Sequence, residues 1–382
     1  MKIKRFAAIF AALVMCVACV VPAFAANYTP INGGTVTLNK RLVVPTDVSV
    51  PAVDFTFSVS AGTAVAPSAT TVQVWAGPNP ADVTVNGTPQ TGTVSFTAGQ
   101  ALVSGENYAQ TDFVVDFSAV QFSEPGVYRY IVTEGASNNP AITNDTIPTH
   151  TIDIYVVDNG NGTLQVAQYI VYQGTVTAGA PVDGSDLTVK NACYVNTYAA
   201  SGLTVAKTVT GNQGSHDQYF KFTITIANAG AGTIMNMDKS NMETTTHANA
   251  ATSYTTAVMD AANGRDDDAN AQGYQLIADA TGAATVEVYL HHGQSINISG
   301  MPIGATYTVV ENDANSYGYT TTYDANQNGT IAASPVSTTV INDRSGSVPT
   351  GIIATMGAGA VIVASAIAGF VVVNRKKSSD ED

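Results

Sequence analysis

Cysteine is almost missing from this 382-residue chain. Of its three, Cys16 and Cys19 fall in an apolar N-terminal run, and only Cys193 lies in the body. A lone cysteine excludes an internal disulfide framework and reads as a small buried residue rather than a reactive thiol. Charge is scarce too, at 12% of residues. The 15 Lys and Arg against 29 Asp and Glu give a net charge of −14. With no basic patch available, nucleic acid is excluded as a partner. No sustained helical periodicity with caps precedes the C-terminal apolar run, which argues against a helical body. No Ser/His/Asp, Cys/His or phosphate-loop arrangement is present, so the sequence offers no enzyme site and calls for no cofactor. What it has is Thr, Val, Ala, Gly and Tyr in short alternating runs, the composition of an all-β protein rich in turns.

Both ends carry address signals. Residues 1–25 read as a secretory signal helix: Lys2, Lys4 and Arg5 precede the apolar run, and Ala23-Phe24-Ala25 supplies small residues for cleavage. Neither Cys16 nor Cys19 sits in a good lipobox, which disfavours a lipoprotein. Residues 352–373 carry no charge and are long enough for a transmembrane helix, and Arg375, Lys376 and Lys377 follow on the cytoplasmic side. Just before them lies Ser347-Val-Pro349-Thr350-Gly351. The order of motif, apolar span and basic tail resembles a Gram-positive cell-wall sorting signal, which implies sortase cleavage between Thr350 and Gly351. The usual pattern places proline two before the threonine, whereas here Pro349 directly precedes it. A plain membrane anchor stays open as the alternative.

Between these ends the pattern runs twice. Residues 26–200 contain alternating runs at 35–38, 54–59, 71–75, 112–117, 127–133, 149–157, 164–172 and 187–198, separated by Gly, Pro and Asn turns such as Asp158-Asn-Gly-Asn-Gly162. Ala199-Ala-Ser-Gly202 reads as a linker. The pattern restarts over 201–345, with strands expected at 203–209, 220–226, 285–290, 295–298, 306–311 and 338–341. Residues 228–282 form a polar excursion with one short helix expected. The architecture is two β-sandwich domains in tandem, followed by sorting motif, span and tail over 346–382.

Two stretches organise these domains: Gly126–Glu134 and Gly304-Ala-Thr-Tyr-Thr-Val-Val-Glu311. Each ends Tyr-x-Val-x-Glu, and because alternate residues share a strand face, the glutamate falls on the same buried face as the Tyr and Val. A buried carboxylate needs a partner. The first strand of each domain supplies an inward lysine, Lys40 beside Val36 and Leu38, and Lys207 beside Leu203 and Val205. The last strands supply inward asparagines, Asn196 between Tyr194 and Tyr198, and Asn342 beside Val340. One such residue alone would be unremarkable, since an inward lysine snorkels or pairs and a strand-end asparagine forms turns. The same order, Lys-Glu-Asn, in two domains points to shared chemistry.

Through Asn39-Lys40, Gly126–Glu134, Asp158–Leu164 and Tyr194-Val-Asn-Thr-Tyr198, the first domain resembles the streptococcal-type pilin isopeptide-linkage domain. Through Leu203-Thr-Val-Ala-Lys-Thr-Val-Thr-Gly211, Gly293–Pro302 and Gly304–Glu311, the second resembles collagen-adhesin B-type domains, an immunoglobulin-like sandwich. The resemblance implies an autocatalytic amide between Lys40 and Asn196 with Glu134 alongside, and between Lys207 and Asn342 with Glu311 alongside. It implies a structural surface subunit on the cell wall, with sortase, other pilin subunits or peptidoglycan, and a host surface ligand as partners. A monomeric anchored adhesin is the alternative.

The chemistry stands on its own footing. Burial lowers a lysine pKa and raises that of a glutamic acid, so the pair tends towards a neutral amine and a neutral acid. A protonated Glu is expected to donate to the asparagine carbonyl oxygen and then pass a proton to departing ammonia. Polymerisation needs an exposed lysine; Lys190 leads, although its even spacing from Asn196 turns it inward, and Lys221 follows. Asp324-Ala-Asn-Gln-Asn-Gly329 starts like a calcium loop but meets Pro335 at the closing position, so it reads as a hairpin turn. Asp266-Asp-Asp268 reads as a solvated loop, and His291 and His292 as opposite faces of a strand. No metal site is expected.

Overall fold

The computed structural model describes residues 28–238, 273–312 and 314–347. Apart from short 3₁₀ turns, the regular structure among them is all strand, arranged as two β-sandwich-like domains. The first domain has eight principal strands: β1 (Thr35–Val43), β2 (Val53–Ala61), β3 (Thr91–Phe96), β4 (Tyr108–Asp116), β5 (Gly126–Glu134), β6 (Thr149–Asp158), β7 (Leu164–Gln173) and β8 (Cys193–Tyr198). One sheet runs β7-β6-β5-β2-β3. The facing sheet centres on β8-β1-β4, with short strands Ile142–Thr143 beside β8 and Thr84–Val85 beside β4. Alternation along β2, β3 and β4 aims Phe55, Phe57, Val94, Phe96, Phe113 and Val115 into one core between the sheets.

The second domain comprises β9 (Ala200–Thr210), β10 (Phe220–Ala227), β11 (Ile234–Asp238), β12 (Gly273–Ile277), β13 (Ala284–Leu290), β14 (Ser295–Pro302), β15 (Thr306–Asn312), β16 (Thr320–Tyr323), β17 (Asn328–Thr330) and β18 (Val336–Asp343). Its sheets run β12-β11-β14-β9-β18-β16 and β13-β10-β15-β17. Phe222, Ile224, Val286, Val288, Ile298 and Val309 fill the space between them.

In both domains the first and last strands lie side by side and parallel, β8 on β1 and β18 on β9. Parallel neighbours need a long connection, and here that connection is the whole domain. The arrangement places residues far apart in sequence on one stretch of sheet.

Three expectations are corrected. Ala199–Gly202 is not a linker: β9 begins at Ala200, with only Ala199 between it and the end of β8. Ala199 bonds through its amide to Ala141 and through its carbonyl to Ile303, and Ile303 packs against the first core. The small residues serve this tight passage, with a bulge between Ser201 and Leu203. The 228–282 excursion is entered and left on strand, since β11 and β12 pair along their length; residues 239–272, with Asp266–Asp268 and the expected short helix, lie outside the described residues. The last strand of the first domain starts at Cys193 rather than 187, because Asn191 turns the chain by accepting the Cys193 amide on its side chain.

The signal segment, Pro349, Thr350, Gly351 and the apolar span also lie outside the described residues. Among the described residues, no helix is long and apolar enough to cross a membrane.

Candidate functional sites: two buried Lys-Glu-Asn triads

Lys40 sits mid-strand in β1 and is fully buried. Its Nζ donates to Glu134 Oε2 at 2.9 Å, across the sandwich from β5. The other oxygen, Oε1, accepts from Asn196 Nδ2 at 2.7 Å. Register explains the meeting: Lys40 lies opposite Tyr194 and Asn196 opposite Leu42, so lysine and asparagine share a face on adjacent strands, two residues apart.

The second domain repeats this arrangement. Lys207 Nζ donates to Glu311 Oε2 at 2.7 Å, and Asn342 Nδ2 donates to Glu311 Oε1 at 2.5 Å. Lys207 lies opposite Val340 and Asn342 opposite Val209, the same two-residue offset. Aromatic rings flank both amines, Phe55 with its centroid 4.5 Å from Lys40 Nζ and Phe220 at 4.5 Å from Lys207 Nζ.

Burial dominates the electrostatics. It pushes the Lys40 amine below its ordinary range, against the pull of Glu134, and pushes Glu134 above its own. Lys207 is driven down to about 8 by the same cause, and Glu311 is raised. Each pair is therefore shifted toward sharing one proton without full charge separation. Such a pair, in a dry site, supplies a nucleophilic amine and a proton carrier.

The geometry corrects one step of the expected chemistry. Neither glutamate touches the asparagine carbonyl; each bridges the amine to the carboxamide nitrogen. That is the placement for relaying a proton to the leaving group, not for polarising the carbonyl. In the first domain the Asn196 carbonyl oxygen instead accepts the Asp145 backbone N–H at 2.9 Å. In the second, Asn342 Oδ1 is buried without a hydrogen-bond partner.

Other polar groups were not anticipated. Arg129 alternates with Tyr128 and Tyr130, so period-two reading aims it at solvent; the structure buries it completely. Its Nε and Nη2 donate to Asp153 Oδ1 and Oδ2, each at 2.7 Å, and Nη1 reaches the Ala178 carbonyl at 2.7 Å. The cover is formed by loops on the outer face of the sheet, where Val72, Val74, Val127, Tyr155 and Ala180 form a satellite core. Gly62 lies so close that a Cβ there would collide with the Arg129 side chain. His150, opposite Val132, stacks on Tyr194 with centroids 4.0 Å apart; burial lowers its pKa to about 4, so the ring is neutral.

Lys190 is not inward. It precedes β8, is about half exposed, and pairs with Asp186 at 2.6 Å. Lys221, in β10, pairs with Glu287 at 2.8 Å. His291 and His292 follow β13 in a turn, not on a strand. His292 stacks on His216 and accepts the Val209 N–H through Nδ1. Asp324 spends its carboxylate on Asn326 N, Thr338 Oγ1 and Thr339 N, as a turn residue does. No cluster of His, Cys, Asp and Glu fit for a metal occurs among the described residues.

Residues 36–199 match a family model, FctA, described as a Spy0128-like isopeptide containing domain. The chain is also 27% identical over 369 residues to a pilin of Streptococcus pyogenes serotype M1, spanning 92% of this chain and 93% of that protein. This is a pilin-type subunit. Its fold agrees with the crystal structure of the major pilin of Streptococcus pyogenes at a TM-score of 0.53, with 22% identity over 83% of this chain and all of that one. The major pilin T3.2 of the same species gives 0.52, with 24% identity over 82% of this chain and all of that one. The second domain of the subunit, residues 201–344, matches a family model described as a domain of unknown function, DUF7601.

Proposed function

We propose that this pilin-type subunit is exported, cross-linked within each domain, and joined by sortase into a surface fibre. The observation that carries the proposal is the repeated triad: an amine and a carboxamide on parallel first and last strands, bridged by one carboxyl, in both domains. Lys40 bonds to Asn196 and Lys207 to Asn342, with Glu134 and Glu311 carrying the proton and one ammonia lost per bond. Fixed proximity supplies much of the barrier reduction, roughly 7–11 kcal/mol for well-placed groups. Each domain reacts once, so the protein is a structural subunit rather than an enzyme. Each immunoglobulin-like domain then carries tension from its first strand to its last through a covalent bond, leaving the core unloaded.

Lys190 and Lys221 are the candidate attachment points for the next subunit, and their places in the fold support the first. The described chain ends at 347 beside the end of β9, where Gln213 N bonds the Arg344 carbonyl and Asn212 bonds the Gly346 carbonyl. Thr350 is three residues further along the sequence. Lys221 adjoins Phe220, which packs on Tyr319, and Tyr319 lies under Arg344, so Lys221 belongs to that same end. Lys190 instead precedes β8 in the first domain, where it bridges to Tyr172 at the end of β7. A head-to-tail fibre needs its two linkage points at opposite ends, which favours Lys190.

The test is the pattern of surface-extracted protein. A ladder of detergent-resistant species that collapses to one band in Lys190→Arg, and persists in Lys221→Arg, supports the fibre and its linkage point. A single band in the parent supports an anchored monomeric adhesin instead.

A further inference from the structure

We propose that the strand flanking each asparagine, on the side away from the lysine, supplies a hydrogen-bond donor that polarises the carboxamide carbonyl: the Asp145 backbone N–H in the first domain and the Thr321 hydroxyl in the second. The inference rests on the cross-linking reading above.

A carboxamide presents one oxygen and one nitrogen. With Nδ2 on the glutamate in both domains, the oxygen points away from it. Attack at Cγ drives negative charge onto that oxygen, and a donor already aimed there lowers the barrier.

In the first domain the donor is in place, 2.9 Å from Asn196 Oδ1. It is held there by its own side chain. The ladder between Ile142–Thr143 and β8 stops at Thr143 opposite Thr197. Beyond it, Asp145 Oδ2 accepts the Val195 N–H at 2.6 Å and Oδ1 accepts the Ile147 N–H at 2.8 Å. The carboxylate thus stands in for a ladder carbonyl and turns the Asp145 N–H toward the asparagine.

The second domain cannot use this device, because the neighbouring strand β16 stays in a regular antiparallel ladder with β18. Asn342 lies directly opposite Thr321 there, and facing residues in such a pair project to the same face. Thr321 Oγ1 and Asn342 Oδ1 are both buried and both without a hydrogen-bond partner in this structure. One is a rotatable donor and the other an acceptor, and each is costly to leave unsatisfied. Turning the Thr321 hydroxyl toward Asn342 satisfies both and supplies the missing donor.

The step balances without an oxidant or added reagent. The lysine ammonium gives a proton to the glutamate. Its free amine forms the Nζ–Cγ bond while the carbonyl electron pair moves to Oδ1, held by the donor. That pair then re-forms the carbonyl and expels Nδ2, which leaves as ammonia with the proton that the glutamate carried. The second proton shed by the lysine nitrogen stays on the glutamate, which finishes neutral.

The test follows each bond separately. The full chain is made by cell-free synthesis, quenched in acid at intervals and digested, and the two cross-linked peptides are quantified by mass spectrometry. Thr321→Val, nearly the same shape without the donor, slows Lys207–Asn342 closure on the order of 10²-fold and leaves Lys40–Asn196 unchanged. Thr321→Ser restores the parental rate. Asp145→Ala slows only the first bond, by at least about 10-fold, and Asp145→Asn, which keeps an oxygen for Val195, recovers most of it. Unfolding curves in an Asn342→Ala background, where the second bond cannot form, separate stability from chemistry. Unchanged curves with slowed closure support the donor. Closure of Thr321→Val at the parental rate, or Thr321→Ser as slow as Thr321→Val, overturns it. A parent that forms neither bond refutes the cross-linking reading itself.

Discussion

Replacing Asn196 with alanine removes the proposed first cross-link while leaving the Lys40–Glu134 pair intact. The bond closes a loop on the order of 150 residues, and the chain-entropy relation for cross-links gives about 5 kcal/mol for that length. The substitution also strips the Asp145 N–H and Glu134 Oε1 of a partner, adding about 1–3 kcal/mol. At about 2–4 °C per kcal/mol for a domain of this size, the first domain should unfold roughly 15–25 °C lower. Glu134→Ala should fall further, because it loses the same bond and strands the Lys40 amine in the core without its partner. Differential scanning calorimetry of the purified protein reads both, with the transition of the second domain as internal control. A first-domain midpoint within about 3 °C of the parent in Asn196→Ala would refute the reasoning.

The remaining predictions concern titration and the second buried ion pair. In Asn342→Ala the Lys207 amine stays free, with its pKa at about 8 in the fold against 10.5 unfolded. Between those values the unfolded chain binds more protons, so stability rises with pH across that window, by about 3 kcal/mol in all. Denaturant midpoints from pH 8 to 10.5 check this, and the cross-linked parent should lack that rise because an amide does not titrate. Asp153→Ala leaves Arg129 buried and unpaired and should cost about 3–5 kcal/mol. Urea unfolding measures it, and a cost below about 1 kcal/mol would show that the guanidinium finds water or another acceptor.

The sandwich architecture and both triads were legible because period-two alternation is plain on β1, β8, β9, β15 and β18, and the Tyr-x-Val-x-Glu run marks the core face of β5. An inward lysine, glutamate or asparagine stands out on an otherwise apolar face. What alternation cannot show is a second cover. Arg129 looks solvent-facing on β5 until the loops above that sheet fold over it, and those contacts join residues far apart in the chain. Asp145 was invisible for a related reason: its contribution is a backbone N–H, which any residue type carries, aimed by a turn that no periodicity marks. Thr321 sits in the run Thr320-Thr321-Thr322, where nothing but the register with Asn342 singles one out. Lys190 was misplaced because counting back in twos from Asn196 assumes that the strand continues, and Asn191 turns the chain first. Alternation puts each glutamate on the core face, but its contact with the carboxamide nitrogen rather than its oxygen is a matter of three-dimensional aim.

The most direct test of the account is the intact mass of the mature protein, followed by peptide mapping. The account predicts a mass two ammonia molecules below that of the mature sequence, with Lys40 joined to Asn196 and Lys207 to Asn342, and with one ammonia regained in each of Glu134→Ala and Glu311→Ala. A parent at the full sequence mass, with both lysines recovered in unlinked peptides, would contradict it.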